Sequence, residues 1–521
     1  MGPAGMNMPE GRLDRCKDGL LVEPPIGERA DTLDSAIAYA LLAGALLLLL
    51  SLLASKLTSR VGVPALLLFL AFGMLAGSEG LGGIEFDEPR IAMAIGSIAL
   101  ALILFDGGLQ TDPKQLTQPL VRSGTLLATA GVGITAAIVA AFATFVLGMS
   151  LVEGLLLGAV LSSTDAAAVF SVLRSRGIGL SPHLRRLIEF ESGSNDPTAV
   201  FLTVSAIAAL QSGLVHPALI PLLFIYSLVG GALFGWIAGL ALVRLLNWID
   251  FEHDGLYPGL TLAAAGTIFG VAALGQISGF MAVYVAGLAM AGRVFVHKRS
   301  LVRFHDGLAW LMQVSMFLVL GLLVFPSHLV AQLWPAIGVS VVLMVVARPL
   351  AVFISLIHSG LTVREKMMVS WVGLRGAAPI ILATFPMVAG LGVSDAIFNT
   401  VFVAVIASVL VQGPSVGFVA RRLGIAEPLE HVAPPIPVEI DVPAERGMSI
   451  QRLHVDVGSR ADGEKLLAIG GPSRPLVVLI RREGWLFIPT GNSRLLPGDE
   501  LYVLGSAEAV QDMREVVQKQ N

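Results

Sequence analysis

Four ionisable residues lie well inside long apolar stretches of the chain: Asp165, Glu191, Asp196 and Arg375. Charged groups are costly in hydrocarbon, so those found there usually pair with one another or line a water-filled path. Asp165 and Asp196 fall near the middle of their apolar runs, which predicts two carboxylates at a similar depth. Glu191 and Arg375 also share a depth, and we expect them to form a structural ion pair.

Two apolar runs are interrupted at mid-length by residues that weaken a helix. Residues 162–165 are Ser-Ser-Thr-Asp, whose side chains compete with the helix for backbone hydrogen bonds. Residues 373–379 contain two glycines and end in Pro379, which has no N–H to donate. Interrupted helices at bilayer depth present carbonyls and helix ends that bind ions. The sequence therefore predicts an ion site where these interruptions lie.

Hard monovalent cations bind oxygen, and the region around Asp196 is rich in it. The Asp196 carboxylate, the Thr164 and Ser192 side chains and the carbonyls around Ser163 are the predicted ligands of a monovalent cation. Asn195 cannot ionise, so the single carboxylate beside it is neutralised either by one cation or by one proton. Competition for that carboxylate predicts coupled exchange, one for one and electroneutral.

The elements that must hold these residues are membrane helices. Hydrophobic residues make up 55% of the 521 positions and charged residues 14%, well below the roughly 25% of soluble domains. A spanning helix needs roughly 20 apolar residues. We count thirteen runs of about that kind, at about 35–55, 61–78, 90–108, 122–148, 154–174, 184–212, 217–244, 256–273, 276–296, 305–326, 329–357, 366–389 and 395–421.

The predicted fold is an α-helical polytopic membrane protein of about 13 transmembrane helices, two of them broken. The fifth and twelfth runs carry the interruptions, so runs one to six and eight to thirteen predict an inverted repeat. Alternate loops are rich in Lys and Arg, whereas the loops between them carry Arg90 and no other. By the positive-inside rule, the N-terminus lies outside and the C-terminal tail in the cytoplasm.

The chain divides into four predicted parts. Residues 1–34 are an extramembrane tail without a signal-peptide core, and residues 35–423 are the transmembrane domain. Residues 424–447 are a proline-rich linker, and residues 448–521 are a small α+β unit. In that unit, strands are expected over 476–481, 485–489 and 500–504 and a helix over 507–518.

Several function classes are disfavoured by what the residues contain. We find no nucleophile–base pair and no metal-ligand cluster, so we expect no enzyme activity and no cofactor. The net charge of −4 argues against a nucleic-acid partner. The expected partners are K+ or Na+, protons and membrane lipid.

Three motifs also carry a family resemblance: SSTDAAAVFSVL at 162–173, EFESGSNDPTAVF at 189–201 and VGLRGAAPIILA at 372–383. In this order they resemble the monovalent cation:proton antiporter family 1 over nearly all of 35–423. The stretch IRREGWLFIPTGNSRLLPGDELYVLG resembles the C-terminal half of RCK (TrkA-C) domains, which is typical of the CvrA-type K+/H+ antiporter branch. The tail shows no glycine-rich strand–helix turn, so the sequence does not support a dinucleotide site there.

The resemblance implies roles for individual residues. Asp196 would carry the cation and the proton, with Asn195, Asp165, Thr164, Ser163 and Ser192 around it, and Glu191 would pair with Arg375. It also implies a homodimer in the bacterial inner membrane that contributes to cytoplasmic K+, pH and volume homeostasis. A small regulatory nucleotide at the tail is the only further ligand considered.

Two further charges, Asp106 and Arg348, lie nearer the ends of their apolar runs. We expect structural or interfacial roles for both. Asp106, in LFDGGL, is also a loose match to an acid in the third span of some family members. Two alternatives to K+/H+ exchange stay open: Na+/H+ exchange by the same fold, and a ligand-gated K+ channel. The channel is disfavoured because the sequence has no TVGYG-type filter.

Overall fold

The structure is a computed structural model that describes residues 38, 41–53, 65–212, 219–428, 448–469, 475–482 and 485–518. The predicted extramembrane tail, 1–34, and most of the predicted linker, 424–447, lie outside the described residues. The described residues therefore comprise most of the transmembrane part and of the small C-terminal unit.

Fifteen helices make up the described transmembrane part. They are α1 Leu41–Leu53, α2 Ala65–Ala76, α3 Pro89–Gln110, α4 Gln118–Leu147, α5 Leu151–Leu161, α6 Ala166–Ser175, α7 Pro182–Ser212, α8 Ile220–Trp248, α9 Leu256–Leu274, α10 Gly279–Ala291, α11 Lys298–Leu322, α12 Pro326–Ser355, α13 Val363–Trp371, α14 Ala377–Val388 and α15 Ser394–Leu423.

Among the described residues, seven of these helices are long and apolar enough to cross a membrane, or eight if the bent pair α5 and α6 is one span. Helices α1, α2, α10 and α14 are apolar but shorter. Each of the thirteen predicted runs contains helix, and the structure interrupts the fifth and twelfth at the predicted places. The polytopic helical architecture is confirmed, whereas a count of thirteen crossings remains a prediction.

Small residues allow the backbones of α3, α8 and α10 to approach one another closely. A methyl group added to Gly108 on α3 would lie 2.1 Å from the Tyr284 carbonyl oxygen of α10, and one on Gly287 of α10 would lie 2.3 Å from the Phe105 carbonyl oxygen. On its other side, α10 packs against α8, where a methyl on Gly235 would lie 2.2 Å from the Ala282 carbonyl oxygen. Such backbone contact is how membrane helices gain packing energy without a hydrophobic driving force.

A separate small unit follows the membrane helices. It has strands β3 Met448–His454, β4 Leu476–Arg482, β5 Trp485–Phe487 and β6 Glu500–Ser506, with helices α16 Leu466–Ile469 and α17 Ala507–Gln518. The sheet order is β3-β6-β4-β5, antiparallel throughout. The three predicted strands and the predicted helix are confirmed, and β3 was missed.

One short pair of β-strands connects the loop before α7 to the chain that follows α15. Strand β1, Ile178–Gly179, lies between α6 and α7, and strand β2, Glu427–Pro428, follows α15. The two pair in antiparallel fashion, with Ile178 opposite Pro428. The start of the linker is thereby held against the elements that carry the predicted ion site.

Candidate ion-binding site

The two interrupted helices meet each other inside the protein. The first break separates α5 from α6, whose axes are bent by 42°, and the second separates α13 from α14. The Asp165 backbone N–H donates to the Leu374 carbonyl oxygen at 2.8 Å, directly joining one break to the other. Two non-helical segments that were predicted separately therefore form a single junction.

Side chains make hydrogen bonds to backbone groups at both breaks. At the first break, Ser162 Oγ donates back to the Ala159 carbonyl at 2.6 Å. At the second, Ser408 Oγ accepts from the Arg375 N–H at 3.1 Å, and Gln412 Nε2 donates to the Trp371 carbonyl at 2.9 Å. Because a buried, unpaired backbone group is costly, these side chains make non-helical chain tolerable at this depth.

Asp165 lies at the N-terminal ends of both half-helices. Its Oδ1 accepts from the Ala168 N–H at 3.1 Å and so caps α6. A methyl on Gly376, which precedes α14, would lie 2.2 Å from Asp165 Oδ2, so the same carboxylate also touches the start of α14. Helix N-termini carry partial positive charge, and one carboxylate between two of them compensates both.

Asp196 projects from α7 toward the first break. Ser163 Oγ donates a hydrogen bond to Asp196 Oδ1. The Asp196 side chain is almost fully buried, at 7% exposure. Pro197 follows it inside the helix and has no N–H for the Gly193 carbonyl. The site thus combines a buried carboxylate with a helix whose own hydrogen-bond ladder is incomplete.

The neighbours of Asp196 tie α7 to the same break. Asn195 Nδ2 donates to Thr164 Oγ1 at 2.6 Å, and Ser192 Oγ donates to the Thr164 carbonyl at 2.8 Å while accepting from the Ala166 N–H at 3.0 Å. Every predicted site residue therefore lies at one junction. In this arrangement Ser192 holds the non-helical segment in position, which the sequence did not predict.

A cavity of about 340 Å³ leads to this junction. Its walls include Asp196, Asp165, Thr164 and Ser192 on one side and residues of α3, α10 and α11 on the other. It continues to the exposed Arg174 and Arg185, where a second cavity of about 650 Å³ shares part of its lining. One water needs roughly 15 Å³ of such space, so the cavity has room for a cation and several waters beside Asp196.

The predicted Glu191–Arg375 ion pair is wrong. Glu191 is held instead by Arg348, with Arg348 Nη1 2.6 Å from Oε1 and Nη2 2.8 Å from Oε2. Both residues are buried, at 1% and 3% exposure. A guanidinium that meets both carboxylate oxygens makes the strongest form of this contact. Arg348 is thus the structural partner, deep in the protein rather than at an interface.

Arg375 lies close by but is bound to the backbone. Its Nη1 donates to the Gly373 carbonyl at 2.8 Å. A methyl on Gly373 would lie 2.7 Å from Arg348 Nε and 3.2 Å from Arg375 Nη1, so the two arginines approach each other at this glycine. The signal that could have identified Arg348 as the partner is its depth below the helix end. Glu191 is nine residues from the start of α7 and Arg348 seven from the end of α12, or roughly 13 and 10 Å at 1.5 Å per residue.

Two more polar side chains on the opposite wall of the cavity are buried. Asp106 is 6% exposed and accepts from Gln110 Nε2 at 2.7 Å, so it lies inside the protein rather than at an interface. Tyr284 is 3% exposed, and its ring lies against Gly193 of α7. Sequence reasoning did not single out Tyr284, because a tyrosine in an apolar run carries no charge to mark it.

Comparison with known families identifies two parts of the chain. Residues 45–422 match the transmembrane sodium/hydrogen exchanger family, and residues 450–518 match the TrkA-C domain. The first match covers the helices and the whole junction described above. The second covers nearly all of the small sheet unit.

Individual relatives agree with these matches. The chain is 43% identical to the K(+)/H(+) antiporter NhaP of Alkalimonas amylolytica, over 76% of this chain and 68% of that protein. It is 38% identical to the K(+)/H(+) antiporter NhaP2 of Shewanella baltica, over 90% and 81% respectively. Among solved structures, the sodium proton antiporter MjNhaP1 of Methanocaldococcus jannaschii at pH 8 superposes with a TM-score of 0.66 at 25% identity. That superposition covers 75% of this chain and 99% of that chain.

Proposed function

Since the chain belongs to the sodium/hydrogen exchanger family, we propose that it exchanges one K+ for one proton across a bacterial inner membrane. The observation that carries this proposal is the Asp196 carboxylate, which is almost fully buried and lines a cavity with room for a cation and several waters. Potassium is preferred over sodium because the two relatives reported at 38–43% identity are named as K(+)/H(+) antiporters.

Exchange follows from the charge of the site. One cation or one proton neutralises Asp196, and the Asn195 amide beside it adds no charge. A neutralised site can move across an apolar barrier at small cost, whereas a bare carboxylate is expensive to move. Leak is thereby suppressed, and the exchange ratio is one for one. The proposed ligands are Asp196, the Ser163 and Thr164 oxygens and Ser192, with Asp165 compensating the two helix ends.

The wider arrangement is proposed from the sequence patterns and from the family resemblance, which supplies the moving bundle and the homodimer. Thirteen crossings form an inverted repeat, with the N-terminus outside and the TrkA-C unit in the cytoplasm. The bundle of α4–α7 and α12–α15 moves against the remaining helices, which we expect to hold a homodimer together. Exchange would contribute to K+, pH and volume homeostasis, and the TrkA-C unit would adjust it, with a small nucleotide as one candidate ligand.

Sodium/proton exchange is the second candidate. It is favoured by one observation, the superposition on a sodium proton antiporter over three quarters of the chain. One carboxylate with neutral oxygens is compatible with either cation. A ligand-gated channel has no support from the family match.

The test is proton movement in proteoliposomes that hold an imposed proton gradient. Potassium, sodium, lithium or rubidium is added in turn, and the dissipation of the gradient is followed by fluorescence. We expect dissipation with K+ and none from the Asp196→Asn variant, which keeps the side-chain shape but cannot titrate. An Asp196→Asn protein that still dissipates the gradient would refute the role of this carboxylate. A parent that responds to Na+ alone would select the second candidate.

A further inference from the structure

Tyr284 is a buried tyrosine on the wall of the cavity opposite Asp196. It belongs to α10, is 3% exposed and lines the 340 Å³ cavity together with Asp196 and Ser192. None of the roles proposed above uses it. Tyr284 lies outside the proposed moving bundle of α4–α7 and α12–α15, yet it shares a cavity with the ion site. It is therefore a candidate for contact with the transported ion.

The backbone beneath Tyr284 is tightly held. Its carbonyl oxygen would lie only 2.1 Å from a methyl group on Gly108 of α3, so no side chain separates the two helices there. Across α10, the close contact of Gly235 with Ala282 fixes the other side. Tyr284 therefore starts from a rigid position that belongs to the α3, α8 and α10 scaffold.

The Tyr284 side chain reaches the helix that carries Asp196. A methyl on Gly193 would lie 2.5 Å from Cε2, 2.8 Å from Cζ and 3.1 Å from the hydroxyl oxygen of Tyr284. Gly193 follows Ser192 and lies about one helical turn before Asp196. The phenol thus lies against the face of α7 from which the proposed ligands project, in a space that only a glycine at 193 leaves open.

The Tyr284 hydroxyl makes no hydrogen bond of good geometry among the described residues. Ser194 and Thr111 are near enough for it to donate to one of them, and its oxygen then remains free to accept another hydrogen bond. Most buried polar groups in proteins are paired, and one that is not calls for a partner of another kind. Tyr284 borders the open space of the cavity that Asp196 also lines. Water molecules around a cation point their hydrogens outward, so a phenol oxygen at this wall is placed to accept one of them.

We infer that the Tyr284 hydroxyl accepts a hydrogen bond from the water shell of the cation bound at Asp196 while the cavity is open. This inference rests on the proposed exchange. It adds a contact to the cation from the α3, α8 and α10 scaffold. Such a contact stabilises the bound cation in one state of the protein only. It should therefore raise the apparent affinity on the cavity side, and its removal should not slow the maximal rate.

The experiment compares Tyr284→Phe with the parent in everted membrane vesicles, where the predicted cytoplasmic face is outside and added cation enters through the cavity. Phenylalanine keeps the ring on Gly193 and removes only the oxygen. We expect the apparent KM for the cation to rise about 2- to 10-fold, the range of one hydrogen bond, with a maximal rate that does not fall. Tyr257→Phe is the matched control, since the Tyr257 hydroxyl already donates to the Ile249 carbonyl at 3.1 Å, and its KM should not change.

Each other result overturns the inference. An unchanged KM means that the hydroxyl does not contact the cation shell, and a lower maximal rate at constant KM means that it acts on the movement of the bundle. Removing an unpartnered buried hydroxyl should leave thermal stability in detergent unchanged or higher, so a marked loss would reveal a protein partner instead. A parent without cation-driven proton movement refutes the exchanger itself, which is a separate outcome from an active parent with a silent Tyr284→Phe change.

Discussion

Separating Glu191 from Arg348 is the perturbation whose cost the structure defines best. The two side chains meet through two contacts of 2.6 and 2.8 Å, and both are at least 97% buried. Replacing one partner by alanine leaves the other charge buried without compensation, which typically costs about 3–5 kcal/mol. We expect Glu191→Ala and Arg348→Ala each to lose stability in this range.

The double variant distinguishes a pair from two independent residues. Removing both charges also removes the uncompensated one, so the double loss should be well below the sum of the single losses. The measurement is equilibrium unfolding of the purified protein in mild detergent, followed by helical circular dichroism. A coupling free energy of several kcal/mol between Glu191 and Arg348 is the expected result.

Arg375 supplies the internal control. It is buried to a similar extent but donates to the Gly373 carbonyl rather than to Glu191. A Glu191/Arg375 cycle should therefore give a clearly smaller coupling than the Glu191/Arg348 cycle. Additive losses for Glu191 and Arg348, or a larger coupling to Arg375, would contradict the ion pair described above.

Three further predictions concern the charge, the junction and the tail. Asn195→Asp places a second carboxylate directly beside Asp196, so the titration of the pair should split into two steps and exchange should become voltage-dependent. Reversal-potential measurements test this, and a parent that already depends on voltage would exclude electroneutral exchange. Gly376→Ala introduces a methyl 2.2 Å from a carboxylate oxygen, so it should lower exchange and reduce the free energy of unfolding by about 1–3 kcal/mol. Gly133→Ala is the control, because its methyl would have nothing within 4 Å and should change neither quantity. Chains ending at residue 428 or 424 should both exchange, but only the shorter one loses β2 and its pairing with β1. If only the shorter chain has a changed cation affinity, the β1–β2 pairing affects cation binding. If the two chains have identical affinities, the pairing has no such effect.

Sequence pattern and composition were sufficient to predict the helices, their two breaks and most strands of the tail. The apolar runs contain the helices, the Ser-Ser-Thr-Asp and Gly-rich segments are where the fifth and twelfth runs break, and period-two alternation gave the tail strands. These features depend on interactions within a few residues, so a sequence window contains most of their cause. The strand at 448–454 was missed because its hydrogen bonds go to β6, some fifty residues away.

The partners of the buried charges were decided only by the tertiary structure. The sequence analysis paired Glu191 with Arg375 and put Arg348 near the end of its apolar run. The actual partner depended on where α12 packs and on the break that turns Arg375 toward the Gly373 carbonyl. Tyr284 carried no sequence signal at all, because its importance comes from a glycine on another helix and a cavity between two halves of the protein. Sequence thus predicted a set of residues for an ion site, and the structure brings them to one junction. Long-range packing decided which of them share a hydrogen bond, since that choice depends on helices far apart in the chain.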